Sequence, residues 1–585
     1  MKSFFKSVLA TIVGIVLSTF ILFIVGLFIM SAALRSQEKT VEIKSNSILY
    51  LDLNRPIIDR QPASSLSLAR FSRDFRIGLN ELLSNIEKAK TDDKIKGIYI
   101  EAKAIDAGYA TVDEIREALK DFRTSGKFVV YYSDFLTQKA YYLATAADEI
   151  FFNPAGIIML NGLRIKTNHY KNTLNKLGIE PVVVKAGNYK GATESIERTN
   201  MSEPNREQLS RLVESIWESL GQEISESRNI QLADLNSAIN KLELKSGEDL
   251  KQLNLVDSLV YKGDVINYLK ELTSTPMNSD ISSVELSAYS KVVQKKTTHF
   301  GAPKIAIIYA TGIIIDGEAD DENIGGEKIA RTIRKARGDS LIKAIVLRVN
   351  SPGGSALASE VILNEIQRTK GVKPIVVSMG DMAASGGYYI SCDADSIIAG
   401  LNTITGSIGV FFRAGYSEKL FNKLGITFDI VKTHQHADMY SITRPYTEEE
   451  IAYQKYNIES TYDLFLKHVS KGRDISYREA DKIAQGRVWS GKDAKEVGLV
   501  DSYGGFNDAI SAAKKLAGLE ENFRIVELPR QETTLEKLMK DLSVEAKVNS
   551  SLEELGFDRK DINEIKYLLQ CNGILTALPY SFHLE

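Results

Sequence analysis

The strongest constraint on this chain is an internal duplication at a constant offset of 247 residues. NIEKAKTDDKIKGIYI (85–100) overlies TIRKARGDSLIKAIVL (332–347), and KAYYLATAADEI (139–150) overlies GGYYISCDADSI (386–397). The register holds without a gap over about 100 residues, which chance similarity would not maintain. Whatever one half folds into, the other half therefore folds into as well.

Each copy alternates short β-rich runs with segments of helical periodicity. In the second copy the order is a strand in IAIIYATGIII, a helix in EKIARTIRKAR, a strand in IKAIVLRVN, a helix in ALASEVILNEIQRTK and a strand in KPIVVSMG. Strands that alternate with helices in this way favour βαβ units and a largely parallel sheet. The sequence thus predicts an α/β fold built twice.

The N-terminus carries a segment long enough to cross a bilayer. Lys2 and Lys6 precede 28 uncharged residues, 7–34, and a spanning helix needs about 20. We expect an uncleaved transmembrane anchor. The alternative is a cleaved signal peptide, for which Ser31-Ala32-Ala33 would be the cleavage site.

A polar, Ser/Thr-rich stretch separates the two copies. We predict an N-terminal tail, anchor and short linker (1–45), a first repeat (46–271), a linker (272–303) and a second repeat with a helical extension (304–585). The net charge of −3 does not suggest nucleic acid as a partner. Two cysteines exclude a disulfide-dense scaffold.

Two loops of the second copy follow predicted strands, where α/β proteins place their sites. RVNSPGGSA (348–356) contains Gly353 and Gly354, whose N–H groups could hold an oxyanion, although a plain turn explains them equally well. In MGDMAASGGYYIS (379–391) the chain is expected to turn at 380–382 and to start a helix near Ser385. A helix cap would explain this serine but not its small neighbours. A nucleophile would explain both.

The repeat register supplies a candidate base for Ser385. VVVKAGNYKGATES (182–195) overlies DIVKTHQHADMYS (429–441) in the same predicted strand-to-loop context, so that Lys190 corresponds to Ala437. Ser385 itself corresponds to Gln138. The first copy keeps a lysine and lacks the serine, while the second keeps the serine and lacks the lysine. This complementary loss predicts one composite site from both copies.

A lysine acts as a base only when it is neutral. Its pKa must fall by about 3 units from about 10.4, which burial at an interface between the copies could achieve. Ser407 in TITGSIGV is a candidate second hydroxyl that orients the amine of Lys190. A rival interpretation makes His434 and His436 the base or a metal pair. If their segment is a strand, these two side chains point to opposite faces.

Together these elements resemble the signal peptide peptidase A family, in the long, duplicated form of the Clp-protease/crotonase superfamily. The matching parts are the anchor and four motifs, SPGG at 351–354, GDMAASGGYY at 380–389, TGSIGV at 405–410 and YKGATES at 189–195. The resemblance covers nearly the whole chain. One departure is the Thr and Ser in YKGATES, which bears on packing around the lysine.

The resemblance implies an α/β fold of two tandem ClpP/crotonase-like ββα-type repeats after a single transmembrane helix. It implies a serine endopeptidase with Ser385 as nucleophile and Lys190 as general base. The N–H groups of Gly353, Gly354 and Gly386 become oxyanion candidates. No metal or cofactor is implied.

The family also implies a setting. Its members degrade signal-peptide remnants in the bacterial cytoplasmic membrane, and the long members resemble a bowl-shaped homotetramer on the outer side. Two rival functions remain at this point. A crotonase-type acyl-CoA enzyme would bind CoA phosphate and would be indifferent to loss of Ser385. A non-catalytic membrane scaffold would explain each loss but not their complementarity.

Overall fold

The computed structural model of the protein describes residues 43–61, 76–292, 301–520, 522–531 and 573–577, with isolated positions between residues 14 and 25. Apart from those positions, the predicted anchor lies outside the described residues. Among the helices that are described, none combines the length and the apolar character needed to span a bilayer.

The first repeat forms a six-stranded parallel sheet in the order β8-β6-β5-β4-β1-β9. The strands of this half are β1 (Ser47–Asp52), β2 (Ile57–Ile58), β3 (Ile77–Gly78), β4 (Ile95–Glu101), β5 (Phe128–Thr137), β6 (Glu149–Met159), β7 (Glu180–Ala186), β8 (Ser258–Leu259) and β9 (Ser283–Glu285). Its helices are α1 (Leu79–Thr91), α2 (Tyr109–Arg123), α3 (Gln138–Ala144), α4 (Lys171–Leu177), α5 (Glu194–Glu197), α6 (Glu203–Arg228), α7 (Leu232–Asn240), α8 (Gly247–Gln252), α9 (Lys262–Leu272) and α10 (Leu286–Tyr289). Part of the predicted linker is thus the edge strand β9.

The second repeat forms a sheet in the order β19-β17-β15-β13-β10-β21, with β16 on β15 and β20 on β16. Its strands are β10 (Lys304–Thr311), β11 (Ile314–Ile315), β12 (Ile324–Gly325), β13 (Ile342–Ser351), β14 (Gly353–Ser355), β15 (Ile375–Ala384), β16 (Ser396–Ala399), β17 (Ile404–Gly406), β18 (Val410–Tyr416), β19 (Val488–Ser490), β20 (Ser502–Tyr503), β21 (Arg524–Leu528) and β22 (Gly573–Ala577). Its helices are α11 (Gly326–Gly338), α12 (Ala356–Thr369), α13 (Gly386–Tyr389), α14 (Glu418–Lys423), α15 (Glu448–Gly472), α16 (Tyr477–Ile483), α17 (Gly491–Glu496) and α18 (Phe506–Leu516).

The predicted alternation of strands and helices is confirmed, and the two sheets repeat each other in detail. The strands β1, β4, β5, β6 and β8 lie in the same order as β10, β13, β15, β16 and β20. Both β1 and β10 carry a register irregularity after their first residue. The strands are buried on both faces, as expected for parallel sheets covered by helices.

A third sheet combines strands from both repeats in the order β12-β11-β14-β22-β18-β7. Its β7 comes from the first repeat and pairs antiparallel with β18 of the second, from Val410 opposite Ala186 to Tyr416 opposite Glu180. This mixed sheet carries the segment that precedes Lys190 across to the second repeat.

Two local expectations were wrong. Strand β15 does not turn at residues 380–382 but runs on to Ala384, because β17 pairs with its last three residues. Residues 427–433, the counterpart of β7, form no strand. The repeated sequence therefore does not give Ala437 the strand-to-loop context of Lys190.

Candidate active site

Ser385 lies at the junction between β15 and α13, in a strained backbone conformation. Its φ of 56° and ψ of −112° are rarely adopted by a residue with a side chain. Its N–H donates to the carbonyl of Gly406 at 2.8 Å, and its own carbonyl accepts from the N–H of Tyr389 at 2.8 Å. Its side chain makes no capping hydrogen bond, so the interpretation as a helix cap is wrong. Backbone hydrogen bonds therefore hold Ser385 in place, and its hydroxyl is not used to cap α13.

The small residues after Ser385 permit a close approach between two chain segments. A Cβ on Gly387 would lie 2.7 Å from the carbonyl oxygen of Ser351, the residue that begins the SPGG loop. Only a glycine allows the backbone of α13 to approach this loop so closely. The opening of α13 and the predicted oxyanion loop are thus neighbours.

Lys190 reaches the same place from the first repeat. It follows the end of β7 by four residues and is 1% exposed. The N–H of Tyr189 donates to the carbonyl of Gln485 in the second repeat at 2.8 Å, which ties the loop down next to the lysine. The base candidate is therefore placed by strand pairing on one side and by an inter-repeat hydrogen bond on the other.

The structure brings Lys190 and Ser385 into direct contact, 195 residues apart in sequence. Lys190 Nζ lies 2.8 Å from Ser385 Oγ, 2.9 Å from the carbonyl oxygen of Ser407 and 3.0 Å from Ser407 Oγ. Ser385 is fully buried and Ser407 is nearly so. These three oxygens are the complete set of hydrogen-bond partners found for the amine among the described residues.

The electrostatics of this contact are set by burial. Removal from water lowers the pKa of Lys190 to about 7, because the charged form loses its hydration. All three hydrogen-bond partners are neutral oxygens, so no carboxylate contact restores the charge. An amine with this pKa is neutral for a large fraction of the time near pH 7 and can accept a hydroxyl proton.

Ser407 is positioned by the same turn that holds the backbone of Ser385. It follows β17 with a φ of 51°, and its N–H donates to the carbonyl of Arg487 at 2.6 Å. The preceding residue, Gly406, accepts the N–H of Ser385. The distance between the two serine backbones, and with it the position of Nζ between them, is therefore fixed by β17.

Sequence reasoning missed Gln208, which holds the lysine loop against the second repeat. This buried side chain on α6 donates from Nε2 to the carbonyl of Tyr189 at 2.7 Å. It also accepts at Oε1 from the N–H of Val488 on β19 at 3.0 Å. One amide thus bridges the loop that carries Lys190 and the segment around Val488, whose neighbour Arg487 accepts the N–H of Ser407. A polar residue on the apolar face of an amphipathic helix was the only available signal.

The predicted oxyanion glycines lie on or next to the segments that surround Ser385. Gly353 and Gly354 form β14 with φ values of 98° and 158°. The N–H of Gly353 donates to Ser351 Oγ at 3.1 Å, and α13 packs against β14. Gly386 begins α13 directly after Ser385.

The remaining candidates lie elsewhere. Gln138 is buried and bonds to Tyr109 and to the N–H of Gly162, which is a structural role in the first repeat. His434 contacts Thr433, and His436 contacts Glu450. Within the described residues, no cluster of His, Cys, Asp and Glu is arranged to hold a metal ion.

A serine hydroxyl beside an amine of lowered pKa, on an α/β scaffold, is an arrangement that can support the chemistry of a serine hydrolase. The model of peptidase family S49 matches residues 121–275 and 367–520, once in each repeat, which confirms the duplication. The chain belongs to peptidase family S49 and is a serine protease.

The similar proteins agree with this assignment. Protease 4 of Haemophilus influenzae is 35% identical over 529 residues, 87% of this chain and 85% of that protein. The chloroplastic serine protease SPPA of Arabidopsis thaliana is 33% identical, over 85% of this chain and 73% of that protein. A putative signal peptide peptidase SppA of Enterococcus faecium is 34% identical, over 41% of this chain and 72% of that protein.

Among solved structures, a ClpP1 mutant from Listeria monocytogenes matches with a TM-score of 0.24 and 18% identity. The match covers 35% of this chain and 94% of that chain. A TM-score this low adds nothing to the α/β architecture described above.

Proposed function

We propose that this serine protease is a membrane-anchored endopeptidase that degrades cleaved signal peptides with Ser385 and Lys190. The observation that carries the proposal is the 2.8 Å contact between Lys190 Nζ and Ser385 Oγ. It is a contact between a strained serine and a buried lysine whose pKa is about 7. Neither feature serves the stability of the fold.

The chemistry is acyl transfer in two steps. Neutral Lys190 takes the hydroxyl proton of Ser385 while Oγ attacks the scissile carbonyl, and the resulting ammonium gives that proton to the leaving amine. The acyl-enzyme is then hydrolysed by a water whose proton again goes to Lys190. Ser407 accepts hydrogen bonds from the amine throughout and keeps Nζ directed at Oγ.

The oxyanion would be held by backbone N–H groups. Gly386 is the residue directly after Ser385, and its N–H is one candidate donor. The N–H groups of Gly353 and Gly354 are the other two, and they lie on β14, which packs against α13. Because the N–H of Gly353 donates to Ser351 Oγ, it would have to exchange that partner for the substrate. Donors of this kind act by stabilising the charge that develops in the transition state.

The substrate and location follow from the anchor and from the relatives. An apolar segment at 7–34 would hold the protease at the membrane, where remnants of signal peptides lie, and raise their effective concentration. The relative from Enterococcus faecium is named a putative signal peptide peptidase. We place the chain in the bacterial cytoplasmic membrane as a single-pass protein, with its catalytic body on the outer side.

We further propose that the chain assembles as a homotetramer. The segment after α14 exposes several large apolar side chains, among them Leu424, Phe428 and Val431. Large apolar side chains that are exposed together in one segment are typical of a protein interface. A second copy of the chain would cover it.

The test is hydrolysis of a synthetic signal peptide by the full chain in detergent, with products read by mass spectrometry. Ser385→Ala and Lys190→Ala should each lower turnover by at least about 100-fold. Lys185→Ala is the matched control, since Lys185 lies on β7, the strand that leads to Lys190, and forms a partly exposed ion pair with Glu197.

Retention of wild-type turnover by either dyad variant would overturn the mechanism.

A further inference from the structure

Strand β15 carries a bulge shortly before Ser385. It pairs in register with β13 as far as Met379, and the pairing resumes at Ala383. Between these two pairs β13 has one residue, whereas β15 has three, 380–382. A bulge bends its strand and redirects the residues that follow it. The bulge therefore helps to set the direction in which β15 presents Ser385.

Hydrogen bonds from side chains of the second repeat hold the backbone of the bulge. The carbonyl of Gly380 accepts the hydroxyl of Thr403 at 2.8 Å. The N–H of Met382 donates to Asn350 Oδ1 at 3.1 Å. Asn350 in turn donates from Nδ2 to Asp59 of the first repeat at 2.8 Å. The backbone groups that leave the ladder thus have partners, and one of these contacts leads to the first repeat.

The middle residue of the bulge, Asp381, contacts the first repeat directly. Its carboxylate accepts the N–H of Gly108 at 3.1 Å, and it accepts the N–H and the hydroxyl of Thr111, each at 2.8 Å. Gly108 directly precedes α2 and has no side chain with which to cap this helix. The first N–H groups of a helix need acceptors, and the helix dipole favours a carboxylate there. Asp381 therefore caps α2 from the other repeat.

The repeat register sets this contact apart. The counterpart of α2 is α12, which is capped by the hydroxyl of its own Ser355. The first repeat has Gly108 at that position, and a Cβ there would overlap the carboxylate of Asp381. The counterpart of Asp381 is Asp134, which forms an ion pair at the surface. The same helix is thus capped internally in the second repeat and across the interface in the first.

We propose that Asp381 is a positioning residue for Ser385, because its contact with α2 ties the bulge of β15 to the first repeat. The inference rests on the proposed role of Ser385 as nucleophile. The first repeat also supplies Lys190, so the tie keeps the end of β15 in a constant relation to the base. Loss of the carboxylate frees the bulge and displaces Ser385 Oγ from Lys190 Nζ. A displacement of about 1 Å at a reacting group can lower the rate about 100-fold.

The first test is the kcat and KM of Asp381→Ala for a synthetic signal peptide, with the full chain in detergent. We expect kcat to fall at least about 10-fold and KM to stay within about 2-fold, because the chemical step is affected and peptide binding is not. Asp134→Ala, the register counterpart, should keep the wild-type kcat. A wild-type kcat in Asp381→Ala would overturn the proposal.

Ser246→Ala controls for the loss of a helix cap as such. The hydroxyl of Ser246 caps α8 in the first repeat, where it accepts the N–H of Asp249. This variant should lose stability but keep the wild-type kcat. A fall in kcat equal to that of Asp381→Ala would overturn the proposal, since any lost cap would then have the same effect.

The second test is the pH dependence of Ser385 labelling by an uncharged fluorophosphonate. A positioning role predicts a lower plateau rate in Asp381→Ala and an unchanged midpoint near pH 7, since Lys190 stays buried. A midpoint that moves toward pH 10.5, with the wild-type rate recovered there, would show that water reaches Lys190 and would overturn the proposal.

A milder variant and the choice of two assays keep the proposal open to refutation. Asp381→Asn keeps the size of the side chain and one accepting oxygen, so it should show a smaller fall of the same kind. Should Asp381→Ala fail to fold, wild-type rates in Asp381→Asn would overturn the proposal. A wild type that is labelled on Ser385 but cleaves no signal peptide would refute the proposed function, and the labelling rates would still decide the role of Asp381.

Discussion

At the scale of single residues, the lysine is made reactive by its surroundings. Lys190 has no acidic hydrogen-bond partner among the described residues, and burial alone lowers its pKa to about 7. The same burial is a cost to the fold. A shift from 10.5 to about 7 corresponds to on the order of 5 kcal/mol of lost stability at low pH, relative to an exposed lysine.

That cost predicts that Lys190→Met stabilises the protein at neutral pH. Between pH 7 and 10.5 the unfolded chain holds a proton that the folded chain has released, so wild-type stability rises with pH across this window. The variant lacks this dependence. We expect a gain of about 2–4 kcal/mol at pH 7, after the loss of hydrogen bonds to the serines, shrinking toward pH 10.5.

Urea unfolding of the two proteins at pH 7 and at pH 9.5 measures this difference. Lys185→Met is the control, because Lys185 is partly exposed and should give no such gain. A Lys190→Met variant that is less stable than the wild type at pH 7 would show that burial of Lys190 does not lower the free energy of unfolding.

The sequence predicted the reactive pair but not its surroundings. Complementary loss between the copies singled out Ser385 and Lys190, and the structure brings them together. The role of Gln208 could not be found this way, because it depends on contacts between the two repeats. The strained φ of Ser385 likewise depends on the pairing of β17 with β15.

At the scale of elements, the turn before β19 packs against the backbone of Lys190 through Gly486. A Cβ on Gly486 would lie 2.7 Å from both the backbone N and the Cβ of Lys190. The N–H of Gly486 donates to the carbonyl of Ile408 at 2.7 Å, one residue beyond Ser407. This turn therefore sets the distance between the lysine backbone and the turn that carries Ser407.

Gly486→Ala should accordingly impair catalysis more than stability. We expect a fall in kcat/KM of roughly 10- to 100-fold, because the methyl group displaces the backbone of Lys190 by a fraction of an ångström to about 1 Å. Signal-peptide hydrolysis measures the effect, with thermal unfolding to compare stability.

Gly498→Ala is a closely matched control for this prediction. Gly498 has a φ of 79°, against 78° for Gly486, but a Cβ there would meet nothing within 4 Å. Both variants carry the same backbone strain of about 1–2 kcal/mol. Equal losses of activity in the two would show that strain, and not contact with Lys190, is responsible.

At the scale of the whole molecule, a buried arginine joins the two repeats. Arg348 on β13 is fully buried, and its guanidinium contacts Asp59 and Glu114 of the first repeat, each at 2.7 Å. Glu114 also accepts the N–H of Phe506 at the start of α18 at 2.7 Å. A composite site needs a fixed relation between the repeats, and this network supplies one.

Arg348→Ala should therefore destabilise the protein by about 3–5 kcal/mol, since it leaves two buried carboxylates without their partner. Arg331→Ala is the control, because its ion pair with Glu318 is exposed to solvent and contributes little to stability. Denaturant unfolding measures both. A loss below about 1 kcal/mol for Arg348→Ala would show that this ion-pair network does not hold the two repeats together.

For the whole molecule, the sequence predicted the two duplicated sheets but not the third, mixed sheet that joins the two repeats. Offset similarity indicates that two copies share a fold, and the order of strands in both sheets agrees with it. The mixed sheet from β12 to β7 escapes such reasoning, because it pairs segments of different copies. The strand-to-loop context predicted for 429–441 was wrong for the same reason, since residues 427–433 repeat the position of β7 without forming a strand.

The central claim is that one serine and one lysine, each from a different repeat, form a single reactive site. The rate at which an uncharged fluorophosphonate labels the full chain, followed by intact mass between pH 5 and 9, tests it most directly. The account predicts one adduct per chain on Ser385, a rate that rises through about pH 7 and then levels, and a loss of at least about 100-fold at pH 8 in Lys190→Met. Labelling of Lys190→Met at the wild-type rate, or a wild-type rate without an ionisation near pH 7, would contradict it.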